Sequence, residues 1–304
     1  MQEARHRGAI RTTERPHPAA AGLDALPPAS ILDHLLTQQT ASLAAVRPAF
    51  PAIESASRLL AHTLSSGGRI AYAGAGSSAL MAMADGLELP GTYGIPSDRI
   101  LLMMAGGLPT DSRMPGATED DAGEGTRAAQ ALRAGDAAIC VTASGSTPYP
   151  LAVAAQARAL GASVIGIANT PGAPLFAICD IAICLGTPPE VVAGSTRMGA
   201  GSAQKACLNL ISTLMAVILG EVHDGRMVGL VADNAKLRAR AAGMVADIAR
   251  CGEAEAAAAL AAAGGAVKPA VLIARGLPAG TARSLLTKTG GSLRAALASL
   301  PPGR

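Results

Sequence analysis

Residues 69–88 read RIAYAGAGSSALMAMADGLE, from Arg69 to Glu88. Ile70 to Ala73 is a short apolar run with a β-preferring aromatic, Gly74-Ala75-Gly76 is a turn signal, and Ala79 to Ala84 contains no helix breaker. The stretch predicts strand, glycine turn, helix. Ser77 and Ser78 then fall where the new helix presents unpaired backbone N–H groups and the positive end of its dipole. Their hydroxyls add donors, so the turn beginning at Gly76 suits a phosphate. Asp85 and Glu88 follow about three helical turns along, which carries carboxylates on the element that holds the anion.

Other readings of the turn compete. Gly74 to Ala79 also satisfies the loose dinucleotide pattern G-x-G-x-x-G/A. That fingerprint wants an acidic residue closing the second strand, whereas the next strand candidate, Arg99 to Met104, ends in Ala105-Gly106-Gly107 and Asp98 precedes it. A nicotinamide or flavin site is therefore disfavoured, and no cofactor is expected. A purely structural tight turn stays open.

Outward from this unit, Ser30 is a good N-cap for a helix to about Val46, where Pro48 stops it, and a second helix runs from Pro51 to Ser65. Met1 to Pro28 is rich in Arg, Pro and Ala and reads as irregular, with Thr12-Thr13-Glu14-Arg15 a candidate for order. After Glu88, residues 90–96 read as loop, as does the polar stretch from Gly106 to Asp121. Glu119, Asp120, Asp121 and Glu124 precede a helix to about Leu132, and an acidic first turn complementing the helix dipole would explain them. Asp136 to Thr142 is another buried strand, followed by Ala143-Ser144-Gly145-Ser146-Thr147-Pro148-Tyr149 and a helix to Leu160. This repeats the first turn's chemistry: small residues, hydroxyls, a helix N-terminus.

Ser163 to Ala168 and Ile178 to Leu185 complete the strands of an α/β fold, a doubly wound parallel sheet flanked by helices. Ligands of such sheets collect at the carboxyl ends of the strands, where both hydroxyl loops open. Glu190 to Lys205 then leads into a long helix to about Leu219. Ser195, Thr196 and Arg197 within it suit either a helix cap with a surface charge or an anion or sugar contact. Asn234 to Ala246 reads as an amphipathic helix. Beyond Gly252 come an alanine helix, Val267 to Ala274, Thr281 to Leu286 and Ser292 to Leu300, a pattern that fits three short helices joined by glycines. Three parts are expected: an N-terminal arm and helix over 1–50, the α/β domain over 51–250, and a small helical C-terminal module over 251–304.

Composition narrows the function. Half of the 304 residues are apolar, yet Trp is absent, with 3 Tyr and 2 Phe, so small aliphatic side chains must fill the core. Nucleic-acid stacking platforms need aromatics. A net charge of +3 without a basic block implies neither nucleic acid nor an anionic membrane as partner. The 5 cysteines are odd in number and fall mostly in apolar runs, as buried thiols of a reducing compartment do. The 5 histidines lack ligand spacing, so no metal is expected. The N-terminus is charged where a signal peptide would be apolar and no apolar run suits a bilayer span, so a cytoplasmic location is expected.

With these loops in view, the chain resembles the sugar isomerase (SIS) phosphosugar-binding domain. More narrowly it is similar to the N-acetylmuramic acid 6-phosphate etherases, relatives of the glucokinase regulatory protein. The resemblance runs from Thr13-Glu14-Arg15 to the end. It is most specific at Gly74 to Ser78, at Asp85 to Gly94 with Glu88 and Tyr93, at Gly116 to Asp121 with Glu119, at Ala143 to Tyr149, and at Gly194 to Met198 through Gln204-Lys205. It implies removal of the lactyl ether from C3 of a 6-phosphorylated sugar, without a cofactor, in a homodimer whose site lies at the dimer interface. It matches Glu88 and Glu119 to the acid/base carboxylates, and Gly76, Ser77, Ser78, Ser144, Gly145, Ser146 and Thr147 to phosphate and hydroxyl binding, with Glu190, Ser195 and Thr196 nearby. The chain also departs from the family pattern. Ala79-Leu80-Met81 and Ser146 stand where an Arg is usual, Gly199 where Lys is usual, and Gly225, Gly229 and Ala235 where Asn, Asp and Glu are usual, while Asn234 and Lys236 are kept. These changes remove positive charge and hydrogen bonds. A phosphosugar sensor and an aldose-ketose phosphate isomerase therefore stand as alternatives on the same scaffold.

Overall fold

The computed structural model describes residues 12–114, 116–230, 232 and 235–300; Asn234 and the first 11 residues lie outside them. The chain divides into two compact units, Met1–Gly86 with Asp98–Ile211, and Leu87–Ser97 with Ser212–Arg304.

The first unit opens with α1 (Pro28–Ala44) and α2 (Phe50–Ser65), then alternates strand and helix: β1 (Ile70–Gly74), α3 (Gly76–Tyr93, up to Gly86 in this unit), β2 (Ile100–Met104), α4 (Ala122–Ala129), β3 (Ala137–Thr142), α5 (Pro148–Ala159), β4 (Ser163–Ala168), β5 (Ile181–Cys184) and α6 (Gly199–Ile218, up to Ile211 in this unit). All five strands pair in parallel, in the order β2-β1-β3-β4-β5. This is the α/β sheet that the apolar runs predict. Alternation along the strands splits the buried side chains between two faces. Ala71, Ala73, Ala138, Cys140 and Val164 form one cluster with Tyr149, Val153 and Ala157 of α5 and Ala129 of α4. On the other face Tyr72, fully buried among aliphatic neighbours, donates from its hydroxyl to Asp85 Oδ2 of α3 at 2.8 Å. Burial first, and the neighbouring carboxylate second, push the Tyr72 phenol well above its ordinary pKa. Lys205 of α6 stands 3.8 Å from the same Asp85. Asp85 is thus a buried structural anchor between a strand and two helices.

The amino ends of the strands are tied by one carboxylate. Asp136, 1% exposed, accepts from the Arg69 backbone N–H at 2.9 Å, the Arg69 guanidinium at 2.7 Å and the Arg133 N–H at 3.1 Å. Burial pushes its carboxyl upward, but these hydrogen bonds and the Arg69 charge outweigh it and hold the pKa below the usual value. The opposite, carboxyl ends of β1 and β3 are left to the loops.

The second unit contains the hairpin β6 (Val222–His223) and β7 (Arg226–Met227), then α7 (Ala235–Ala249), α8 (Glu253–Ala262), α9 (Val267–Ala274), α10 (Ala279–Lys288) and α11 (Leu293–Ala298). Its own core is built from Val245, Leu260, Val271, Leu272, Leu293 and interleaved alanines. After α7 there are four helices, where the glycine spacing suggests three.

Some boundaries differ from expectation for local reasons. α1 begins at Pro28, whose fixed φ suits a first helical position, so Ser30 lies inside it and is not the cap. α3 does not stop before Pro90 but carries it inside, ending where Gly94 takes φ +70° and donates to Pro90 O at 3.1 Å. Among the described residues no helix is long and apolar enough to cross a membrane. The five thiols are free, Cys140 and Cys207 fully buried.

Candidate active site

Two loops leave neighbouring strands at the same, carboxyl end of the sheet, because β1 and β3 pair directly and in parallel, Gly74 opposite Val141. The first is the turn into α3. Gly76 takes φ +54°, and Ser77 and Ser78 occupy the opening turn of the helix, where backbone N–H groups and the dipole favour an anion. The second is the turn from β3 into α5. Here the hydroxyls bond to one another: Thr142 with Thr147 at 2.8 Å, and Ser146 to Ser144 at 3.1 Å, with the Ser146 N–H donating to Ser144 Oγ at 3.2 Å. Thr147 is therefore drawn toward Thr142 and makes no side-chain cap on α5. Gly145 permits this turn: its φ is +70°, and a Cβ there would run into the Cβ of Ala173.

Between the loops lies a pocket of about 260 Å³. Gly76, Ser77 and Ser78 form one wall, and Thr142, Ser144 and Thr147 another. Thr196 and Gly194 close it from the segment before α6, and the short turn Thr12–Glu14 brings Thr13 and Glu14 to its rim. That turn is held by the Gly194 N–H, which donates to Thr13 O at 3.2 Å. Glu119, on the single 3₁₀ turn Gly116–Asp120, completes the lining. Among the described residues lining this pocket there is no Lys or Arg. A phosphate here would be held by hydroxyls and helix N-termini, beside carboxylates able to transfer protons. Among the described residues no group of three His, Cys, Asp or Glu could hold a metal ion.

Residues 36–169 match the SIS domain family. An N-acetylmuramic acid 6-phosphate etherase of Deinococcus radiodurans is 40% identical over 290 residues, 94% of this chain and 95% of the relative. One from Aeromonas hydrophila is 38% identical over 283 residues, 92% of this chain and 95% of the relative. This chain belongs to the N-acetylmuramic acid 6-phosphate etherases. Among solved structures, a phosphoheptose isomerase of Francisella tularensis superposes with a TM-score of 0.44 at 20% identity, over 62% of this chain and 96% of the other.

Against the etherase pattern, the pocket gathers Gly76, Ser77, Ser78, Glu119, Ser144, Thr147 and Thr196. Gly145 and Ser146 shape the second loop from behind, the first by its backbone angle and the second by its bonds to Ser144. Ser195 serves a turn, its carbonyl accepting from the Met198 N–H at 3.1 Å. Glu190 is 2% exposed and caps α6: its two oxygens accept from the Gly199 and Ala200 N–H groups at 3.0 and 2.8 Å. Glu88 is exposed, on the stretch of α3 assigned to the second unit, and is not among the lining residues. Lining residues that the sequence does not single out as site residues are Thr13, Glu14, Thr142 and Gly194; the Thr-Thr-Glu-Arg segment hints at the first two, and Gly194 opens the Gly194 to Met198 motif.

Gly199, at the start of α6, packs closely on α1: a Cβ there would meet the Gln38 amide and the Ser42 hydroxyl. Both side chains are buried and bonded to each other at 3.1 Å, and Gln38 also donates to Pro189 O at 3.3 Å. A polar pair on α1 fills the space next to the α6 N-terminus.

Proposed function

We propose that this chain cleaves the D-lactyl ether of N-acetylmuramic acid 6-phosphate, giving N-acetylglucosamine 6-phosphate and D-lactate, within cytoplasmic recycling of cell-wall amino sugars. The observation that carries the reading is Glu119 at the wall of a pocket floored by the hydroxyl loops of β1 and β3, in a chain 40% identical to a named etherase.

The sugar ring opens to expose the C1 aldehyde, which acidifies the C2 proton. A carboxylate removes that proton, the C3–O bond breaks, and a carboxylic acid delivers a proton to the departing lactate oxygen. Water then adds across the resulting double bond, hydroxyl to C3 and proton to C2. Two carboxyl groups suffice for these transfers, each worth about 10²–10⁴ in rate. We assign them to Glu119 and Glu88, with the phosphate on Ser77, Ser78, Ser144 and Thr147.

The functional unit is a homodimer in which the partner copy supplies Glu88. D-Lactate release from the purified chain tests the reaction, and Glu88→Gln and Glu119→Gln should each abolish it. Mixing and refolding the two dead variants together should restore roughly a quarter of the activity, because half the symmetric dimers then carry one intact site of two. No recovery would assign both carboxylates to one chain. Sugar-phosphate binding without lactate release by the unaltered chain would refute the etherase reading and make it a phosphosugar sensor.

A further inference from the structure

Next to the hydroxyl pocket lies a second cavity, of about 410 Å³, in the same unit of the chain. It runs from the end of β2 along the loop that carries Leu108, Asp111, Arg113 and Met114, and it shares Gly76 and Glu119 with the first pocket. The two cavities therefore meet at Glu119. Among the described residues lining either one, Arg113 is the sole lysine or arginine.

The substrate carries two anions at different places, a phosphate on C6 and a carboxylate on the lactyl group at C3. The hydroxyl pocket suits the phosphate. The lactyl group pairs its carboxylate with a methyl, and the second cavity offers one guanidinium with two exposed apolar side chains, Leu108 at 51% and Met114 at 41%. We propose, on the etherase reading above, that Arg113 binds the lactyl carboxylate and so distinguishes N-acetylmuramic acid 6-phosphate from its lactyl-free product. A sugar seated with its phosphate between the hydroxyl loops then extends past Glu119, which lies where the C3 substituent leaves the ring.

Arg113 already has a partner, but a weak one. Its Nη2 stands 3.2 Å from Asp111 Oδ2, and the two side chains are 88% and 52% exposed. Such a pair contributes about 0–1 kcal/mol, and a guanidinium has further donors in a fork that matches a carboxylate. The base of the loop is fixed while its tip is open. The Gly106 N–H donates to Glu124 Oε1 at 3.0 Å and the Gly107 N–H to Met104 O at 2.8 Å. Arg113 is thus presented from an anchored loop and can close on a ligand without refolding the sheet.

The test is steady-state D-lactate release by the full chain and its variants, with N-acetylglucosamine 6-phosphate as competitive inhibitor because it keeps the phosphate and lacks the lactyl group. Arg113→Ala should raise KM for N-acetylmuramic acid 6-phosphate about 10- to 100-fold, the loss of one charge-assisted bond, with kcat changed much less. The inhibition constant of N-acetylglucosamine 6-phosphate should stay within about twofold, since no contact to the shared part of the sugar is lost. Arg113→Lys should recover part of the loss, and Asp111→Asn should lower KM. An unchanged KM in Arg113→Ala overturns the assignment. So does a parallel rise in the inhibition constant, which would make Arg113 a phosphate or loop-ordering residue. If the unaltered chain releases no lactate, the etherase reading fails first and independently.

Discussion

Replacing Asp136 by Asn should destabilise the first unit while sparing its chemistry. The carboxylate ties β1 to β3 at their amino ends, with the Arg69 guanidinium at 2.7 Å and two backbone N–H groups, of Arg69 and Arg133, at 2.9 and 3.1 Å. The asparagine keeps the shape but loses the charge and must point its NH₂ group at one of these donors. Breaking a buried ion pair costs about 3–5 kcal/mol when both partners are dry. Arg69 retains 20% exposure, which moves the expectation to the lower end, about 3 kcal/mol. For a chain of this size that is a fall of roughly 6 °C in Tm. The pH dependence has a definite sign. The folded-state pKa of Asp136 is depressed, so its contribution is present above the ordinary carboxylate pKa and is lost as pH falls through the folded value. Urea denaturation of both proteins at pH 7 and at successively lower pH should therefore show the gap narrowing as the wild-type carboxylate protonates. Because the active loops leave the opposite ends of the strands, kcat/KM of the folded variant should stay within about twofold. A loss below about 1 kcal/mol at pH 7, or a gap independent of pH, would refute the claim that this carboxylate is a charged tie.

Three further outcomes follow from the site's supports. Glu190→Gln turns a donor toward the two buried N–H groups that open α6, and should lower stability by about 1.5–3 kcal/mol in thermal unfolding; an unchanged Tm would mean the cap is dispensable. Gly145→Ala forces a Cβ onto Ala173 at φ +70°, and should weaken N-acetylglucosamine 6-phosphate binding more than tenfold by calorimetry, about 1.4 kcal/mol or more; unaltered affinity would show that the second loop does not touch the ligand. Burial pushes the Cys207 thiol up to about 12 and raises Cys140 as well, so neither should be alkylated by iodoacetamide at pH 8 until urea unfolds the chain. Rapid native labelling of either would reveal local opening.

The sheet was legible because its strands are continuous apolar runs, as strands buried on both faces must be. Ser163 to Ala168 is found with both ends as read, while the Asp136 run begins one residue later because Asp136 itself turns back to bind Arg69. The hairpin of β6 and β7 is not legible although Asp224-Gly225 is a strong turn signal, because strands of two residues leave no periodicity to read. At the site, Ser77, Ser78, Ser144 and Thr147 are legible because hydroxyls at or just before the first turn of a helix have a local meaning. Thr13 and Glu14 could not, since their place at the pocket depends on a contact with Gly194 some 180 positions away. Glu190 shows the limit in the other direction: a carboxylate in a glycine- and hydroxyl-rich stretch looks like a ligand, yet both its oxygens are occupied by the next helix.

The strand order also governs how the protein is made. β1 sits between β2 and β3, and its register with β3 pairs Ile70 with Ala137, 67 positions later. At about 5–20 residues per second, a ribosome needs roughly 3–13 seconds to deliver that partner. Until it emerges, the nascent chain can form the β1–β2 pair but holds an apolar strand with one unsatisfied edge, the configuration most prone to join a neighbouring polypeptide. The interval between codons 74 and 142 is therefore the one in which the free edge of β1 is open to pairing with another chain.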